Sequence, residues 1–267
     1  TIIPVLPQGH LALVHGAREI TWQEMDQRSN NLGRYMLDNG ANFGDKVGFY
    51  MRNRPEYMET LAACFRARLT HVNVNYRYVA DEVHYIFDNS DASVVVYGKE
   101  FRDNVEILRP RLPKVKLWIE VGDGADLPAD SLDYETLTSI GTGENLDVER
   151  DGDDLLFLYT GGTTGMPKGV MWGHTALRET QTMALRALGD VPETLDELKA
   201  HLQTNGPGEV YIPACPLMHG TGLFTAMAAM MNGGTIVTLQ AASLDSDELW
   251  RTVESRGVQN IAIVGDA

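Results

Sequence analysis

Short apolar runs alternate along this chain with amphipathic stretches of roughly 10 to 15 residues, and nothing else in the sequence constrains the fold as much. Residues 46–51 read as a strand and 55–69 as the helix after it. Pro55 and Glu56 suit a first helical turn, and Met58, Leu61, Ala62, Phe65 and Leu69 share one face. Further strands are expected at 72–74, 93–97, 115–121, 155–159, 211–214, 235–239 and 260–264. Helices are expected at 80–90, 101–109, 175–188, 221–231 and 245–256. The run Ser-Val-Val-Val-Tyr at 93–97 is β-branched in the manner of a strand buried on both faces. Residues 122–133 form a Gly/Asp/Pro-rich loop. The acidic, partly helical stretch 190–208 ends in Asn-Gly-Pro-Gly and reads as a surface insertion between two sheet systems. The alternation implies parallel sheets with helices on both faces, a three-layer α/β fold.

The chain has 267 residues, enough for one large domain or two modest ones. No apolar run approaches the roughly 18 to 20 residues of a membrane helix. Residues 1–10 lack the basic and apolar regions of a secretory signal. The first residue is Thr1 rather than Met, so the expected start lies upstream. At the other end, the strand at 260–264 runs straight into Gly265-Asp266-Ala267 with no closing helix, and a truncated piece is expected. Cys64 and Cys215 sit among apolar neighbours, with no CxxC pair. A disulfide framework and a zinc site are therefore not expected, and the cytoplasm is the natural compartment. A membrane-peripheral position is compatible with this.

The net charge is −15, from 37 acidic and 22 basic residues. Such a chain repels nucleic-acid phosphates, and no Lys/Arg cluster compensates. Nucleotide binding would need a local device for the phosphates.

That device is the segment 155–170, in which the apolar run Leu-Leu-Phe-Leu-Tyr meets Thr160, Gly161, Gly162, Thr163, Thr164, Gly165, Met166, Pro167, Lys168 and Gly169. Glycines let backbone N–H groups come close to an anion. Threonine hydroxyls can donate to phosphate or ligate a metal. Lysine brings a full charge to the phosphates. The P-loop pattern is excluded, because Pro167 precedes Lys168 and Gly169 follows it. The G-x-G-x-x-G dinucleotide fingerprint is absent from the stretch.

The string TGGTTGMPKG resembles the phosphate loop of the adenylate-forming superfamily, which includes acyl-CoA synthetases, luciferases and adenylation domains. Thr21-Trp22-Gln23-Glu24-Met25, Gly44-Asp45-Lys46-Val47 and Asn53-Arg54-Pro55-Glu56 resemble early segments of that family. The stretch from His71 through Val72, Asn73, Val74, Asn75, Tyr76 and Arg77 to Tyr78 resembles its fatty-acyl branch. The resemblance covers nearly the whole chain, equivalent to roughly the first half of a member.

A second constellation is Pro216-Leu217-Met218-His219-Gly220-Thr221-Gly222-Leu223-Phe224. Free N–H groups at the start of the helix favour an anion such as a carboxylate, and His219 can donate to it. On the residues alone, a His219 that only caps the helix is the favoured reading. The segment also resembles the family's His-Gly-x-Gly stretch, which implies that His219 lines the acyl site with Gly220 and Gly222. Phe224, Met227, Met230 and Met231 offer an adaptable apolar surface, but the methionines read as core. Amino-acid-activating members of the superfamily carry an aspartate hereabouts, and no acidic residue lies between Cys215 and Gly234, so the resemblance implies a plain carboxylic acid rather than an amino acid. His174 reads as structural, and His10, His15, His71, His84 and His201 form no metal-ligand spacing.

The resemblance implies two stacked α/β subdomains with largely parallel sheets. Residues 44–207 would form the first and carry the phosphate loop. Residues 1–43 and 208–267 would form the second, incomplete one, and the small C-terminal domain would lie outside this chain. It also implies ATP-dependent activation of a fatty or related acid to acyl-AMP, then thioester formation with CoA. Thr160, Gly161, Gly162, Thr163, Thr164, Gly165 and Lys168 would hold ATP, Thr160 or Thr163 would help ligate Mg²⁺, and His219 would orient the carboxylate. Expected partners are a small-molecule carboxylic acid, ATP and CoA, with a homodimer compatible and no nucleic acid. The remaining Mg²⁺, ribose and C-terminal lysine residues would lie downstream, so this piece alone is not expected to turn over. An acyl-AMP ligase that loads a carrier protein and a non-catalytic nucleotide-binding module are the alternatives.

Overall fold

The computed structural model of the chain describes residues 1–162, 165–186, 189 and 191–265. The strands in chain order are β1 (Leu11–His15), β2 (Arg18–Thr21), β3 (Lys46–Tyr50), β4 (Thr70–Asn73), β5 (Ala92–Gly98), β6 (Leu117–Val121), β7 (Leu132–Asp133), β8 (Leu155–Gly162), β9 (Gly165–Gly173), β10 (Val210–Pro213), β11 (Thr235–Thr238) and β12 (Asn260–Ala262). The helices are α1 (Trp22–Asp38), α2 (Pro55–Arg66), α3 (Ala80–Asn89), α4 (Arg102–Leu108), α5 (Tyr134–Ser139), α6 (His174–Arg186), α7 (Leu195–Asn205), α8 (Gly220–Met231) and α9 (Ser246–Arg256).

Two compact units divide the chain. Among the described residues, one holds a seven-stranded sheet in the order β7-β6-β5-β3-β4-β8-β9. Every pairing in it is parallel except β8 with β9. The alternation of strand and helix therefore reads out as expected, because a parallel pair needs a crossover between its members. β5 is buried along its whole length, as its β-branched composition requires. Tyr50, Val72, Val74, Val95, Tyr97, Ile86 and Phe87 lie in the core of this unit. α2 stops short of the expected 69, because Arg68 takes a left-handed backbone (φ 54°) and Leu69 N–H turns back to the Cys64 carbonyl at 2.8 Å.

The other unit holds a five-stranded sheet in the order β12-β10-β11-β1-β2 among the described residues. Its pairs are parallel except the β1–β2 hairpin. Val14, Ile212, Val237 and Leu249 form its core. Asp245 caps α9, its carboxylate accepting from the Asp247 and Glu248 N–H groups, and Gly257 ends it in the left-handed region.

The units are Thr1–Met25, Asn53–Pro55 and Ala176–Ala267 for the five-stranded sheet, and Asp26–Arg52 and Glu56–Thr175 for the seven-stranded one. The sequence boundaries of 1–43, 44–207 and 208–267 differ from this at both junctions. Most of α1 joins the seven-stranded unit through polar side chains. Asp26 pairs with Arg66, Arg28 with Glu59 and Glu135, and Asn31 donates to the Thr138 carbonyl at 2.9 Å. Residues beyond 175 join the five-stranded unit instead: Gln181 donates to the Phe224 carbonyl at 3.2 Å, and Leu202 of α7 is buried. Most described side chains of 191–208 are exposed, as expected of a surface insertion, and Leu202 anchors the stretch. No described helix is long and apolar enough to cross a membrane.

Candidate functional site

The expected phosphate loop is a β-hairpin rather than an open loop. β8 continues through Thr160 and Gly161 to Gly162, and the chain returns as β9, which sequence reading did not anticipate. Its glycines and Pro167 carry no strand signal, and pairing with the apolar β8 supplies the missing preference. Gly162 sits opposite Gly165, and Thr160 opposite Lys168, with an irregular register between. One residue on β8, Gly161, thereby faces Met166 and Pro167 on β9. A bulge of this kind is where a proline without an N–H is tolerated.

Directly opposed residues of an antiparallel pair present their side chains on one face. Thr160 and Lys168 are both exposed and share such a face. No carboxylate among the described residues lies within ion-pair distance of Lys168. The hairpin therefore offers an uncompensated ammonium, a hydroxyl and accessible glycine backbone, which is what an oligophosphate needs. Thr163 and Thr164 lie outside the described residues.

The root of the hairpin is held from β4. The β4–β8 ladder pairs His71 with Leu156 and Val72 with Phe157. Beyond it the buried Asn73 carboxamide replaces backbone: its Oδ1 accepts from Tyr159 N–H at 2.5 Å and its Nδ2 donates to the Tyr159 carbonyl at 3.0 Å. Tyr159 OH donates to Asn89 Oδ1 at 2.7 Å. Sequence reading took Asn73 as part of a strand and of the stretch 71–78, with no bonding role of its own. A polar residue between Val72 and Val74 was the available signal, because buried polar groups are hydrogen-bonded.

His174 opens α6 and packs against Phe65, the two rings tilted by 42° with centroids 4.2 Å apart. Burial pushes its imidazole below the ordinary range, and its Nε2 has no hydrogen-bond partner among the described residues. This is a packing role, as expected. His71 is buried too, its Nδ1 donating to the Phe157 carbonyl at 3.2 Å and its Nε2 accepting from Tyr57 OH at 2.9 Å.

The second constellation belongs to the five-stranded unit. His219 occupies the N-cap position of α8 in extended backbone, but its side chain makes no capping bond. It is exposed, and Gly220 and Gly222 follow it in the first turn of the helix. Gly222 has a packing reason to be glycine: a Cβ there would stand 2.4 Å from the Pro216 carbonyl oxygen. Met227 is buried and joins the core, as read, whereas Phe224, Met230 and Met231 are half-buried. Past Pro213, where β10 ends, the segment before His219 has no strand partner among the described residues. Asn53 supplies one, donating to the Pro213 and Cys215 carbonyls at 3.3 and 2.9 Å and accepting from Leu217 N–H at 2.7 Å. The structure thus brings Thr160, Gly161, Gly162, Gly165 and Lys168 together on one hairpin, and His219, Gly220 and Gly222 together on one helix start.

Comparisons with known proteins follow the same lines. The chain is 34% identical to the 3-oxocholest-4-en-26-oate–CoA ligase of Rhodococcus rhodochrous, over 99% of its own length and 48% of that protein's. It is 32% identical to the medium-chain acyl-CoA ligase Mig of Mycobacterium avium, over 96% of the chain and 49% of the relative. The chain therefore spans about half the length of these curated relatives. Its fold is similar to a crystal structure from Rhodopseudomonas palustris described provisionally as a long-chain-fatty-acid CoA ligase, with a TM-score of 0.82 at 24% identity, covering 99% of this chain and 62% of that one. Residues 5–266 match the family model described as AMP-binding enzyme, and the chain belongs to that family.

Proposed function

We propose that this chain is the nucleotide- and carboxylate-binding part of an AMP-forming acyl-CoA ligase acting on a fatty or related carboxylic acid. The observation that carries the reading is the hairpin: Thr160 and Lys168 exposed on one face, with no described carboxylate on the lysine. Family membership and relatives named as CoA ligases support it.

In the proposed reaction a carboxylate oxygen attacks the α-phosphorus of ATP, and the bond to the bridging oxygen breaks to release pyrophosphate. The thiolate sulfur of CoA then attacks the acyl carbonyl of the mixed anhydride, and AMP leaves. Both steps move charge onto phosphate oxygens, so the protein's work is placement and charge stabilisation. Lys168, Thr160 and the backbone of Gly161, Gly162 and Gly165 hold the β- and γ-phosphates. His219 donates to the substrate carboxylate, and the first-turn N–H groups of α8, Gly220 among them, favour its charge.

The donor set fits a magnesium ion carried on the nucleotide. Magnesium takes few protein ligands beside substrate phosphates. Thr160 offers a hard hydroxyl oxygen, and the described residues hold no group of three His, Cys, Asp or Glu that would form a separate metal cage. When bound, the ion neutralises phosphate charge.

The test is carboxylate-dependent ATP–pyrophosphate exchange by the full-length protein, across fatty, steroid-derived, aryl and amino acids. Exchange with fatty or steroid-derived acids is expected, followed by thioester formation when CoA is added. A folded protein that exchanges with no acid would sink the reading.

A further inference from the structure

Two asparagines outside the expected site each replace missing backbone partners beside one half of it. Asn73, 3% exposed, takes both the N–H and the carbonyl of Tyr159, the residue before Thr160. Asn53 takes two carbonyls and one N–H of the segment 213–217, which leads into His219. Neither task can pass to another residue type of similar size. Asparagine presents a donor and an acceptor on one rigid plane, whereas aspartate lacks the donor and leucine lacks both. Each bracket acts where the ordinary ladder stops: β8 has lost β4 by Tyr159, and the segment after β10 has left its sheet.

We propose that Asn73 and Asn53 are positioning residues with separable duties, Asn73 aiming the phosphate hairpin at the nucleotide and Asn53 aiming the start of α8 at the carboxylate. The inference rests on the function proposed above. Misplacement of a binding group by about 1 Å can cost roughly a hundredfold in rate. Loss of a bracket therefore acts on the substrate that its segment holds, whereas loss of general stability reduces the active fraction and leaves both KM values alone.

The experiment is steady-state exchange kinetics on the full-length protein, comparing wild type with Asn73→Ala, Asn73→Asp, Asn53→Ala and Asn53→Asp. The Asn73 variants are expected to raise KM for ATP about tenfold with KM for the acid within about twofold, and the Asn53 variants to do the reverse. The aspartates, which keep the acceptor, carry the test if an alanine variant does not fold. If wild type exchanges but both KM values move together, or neither moves, the positioning roles are overturned and the function stands. If folded wild type exchanges with no acid, the function falls and the inference falls with it.

Discussion

The ring of Tyr159 occupies the space that a side chain at Gly169 would need, a Cβ there falling 2.9 Å from the Tyr159 Cε2. The two residues face each other across the hairpin, and Tyr159 OH is tied to Asn89. The glycine after Lys168 is therefore a packing requirement of the hairpin. Gly169→Ala is expected to destabilise by about 1 to 3 kcal/mol, the usual range for overpacking. In a double-mutant cycle with Tyr159→Leu, measured by urea unfolding, a coupling of at least about 0.5 kcal/mol is expected. Strict additivity would show that the ring is not the obstacle.

Lys168→Ala should weaken ATP binding by about ten- to a hundredfold, since a charged group on phosphate is replaced by a methyl. The difference between the two proteins should shrink as salt is raised, because exposed charges are screened. Titration calorimetry at two salt concentrations reads both effects. Equal affinities would remove the hairpin from nucleotide binding.

Gly222→Ala places a Cβ 2.4 Å from the Pro216 carbonyl oxygen and 3.1 Å from that of Cys215. Both obstacles are backbone, so the start of α8 must move and carry His219 with it. A stability loss of about 1 to 3 kcal/mol is expected, together with weaker carboxylate binding. Wild-type binding in the variant would separate His219 from the acid.

Arg28 meets the fully buried carboxylate of Glu59 with two hydrogen bonds, at 2.5 and 3.1 Å, and that of Glu135 with two more. Removing the guanidinium leaves Glu59 charged and buried. Arg28→Met is expected to cost about 3 to 5 kcal/mol, and Glu59→Gln in the same chain to restore part of it. A denaturant series on the four proteins checks this, and no recovery in the double variant would argue against an uncompensated charge as the cause.

Burial pushes the His71 imidazole down to about 3, against an opposing hydrogen bond to the Phe157 carbonyl. The folded value lies below the unfolded one of about 6.5, so the unfolded chain binds the extra proton. The contribution to stability is complete above pH 6.5 and is lost as pH falls towards about 3, by at most about 1.4 kcal/mol per pH unit. His71→Gln lacks this dependence. The stability gap between wild type and variant should therefore narrow on acidification, and a gap constant from pH 7 to pH 4 would contradict a neutral buried His71.

Much of the framework was legible because it rests on local pattern. The β-branched run of β5, the apolar β8 and the amphipathic α2 signal themselves within a few residues. The glycine- and threonine-rich string with Lys168 and the stretch around His219 were legible for the same reason.

What the sequence determined by itself was a parallel-rich α/β chain with a phosphate-type string and a helix-start histidine. Tertiary structure decided the rest, because those features depend on partners far along the chain. Gly165–Gly173 is a strand only because β8 lies beside it. α1 is tied to the seven-stranded unit through Arg28, whose partners stand 31 and 107 residues away. Asn73 and Asn53 acquire meaning only when Tyr159 and the 213–217 segment, 86 and more than 150 residues on, fold against them. Local propensity is written in neighbouring residues, whereas a hydrogen bond between distant ones exists only once the chain has closed the loop between them.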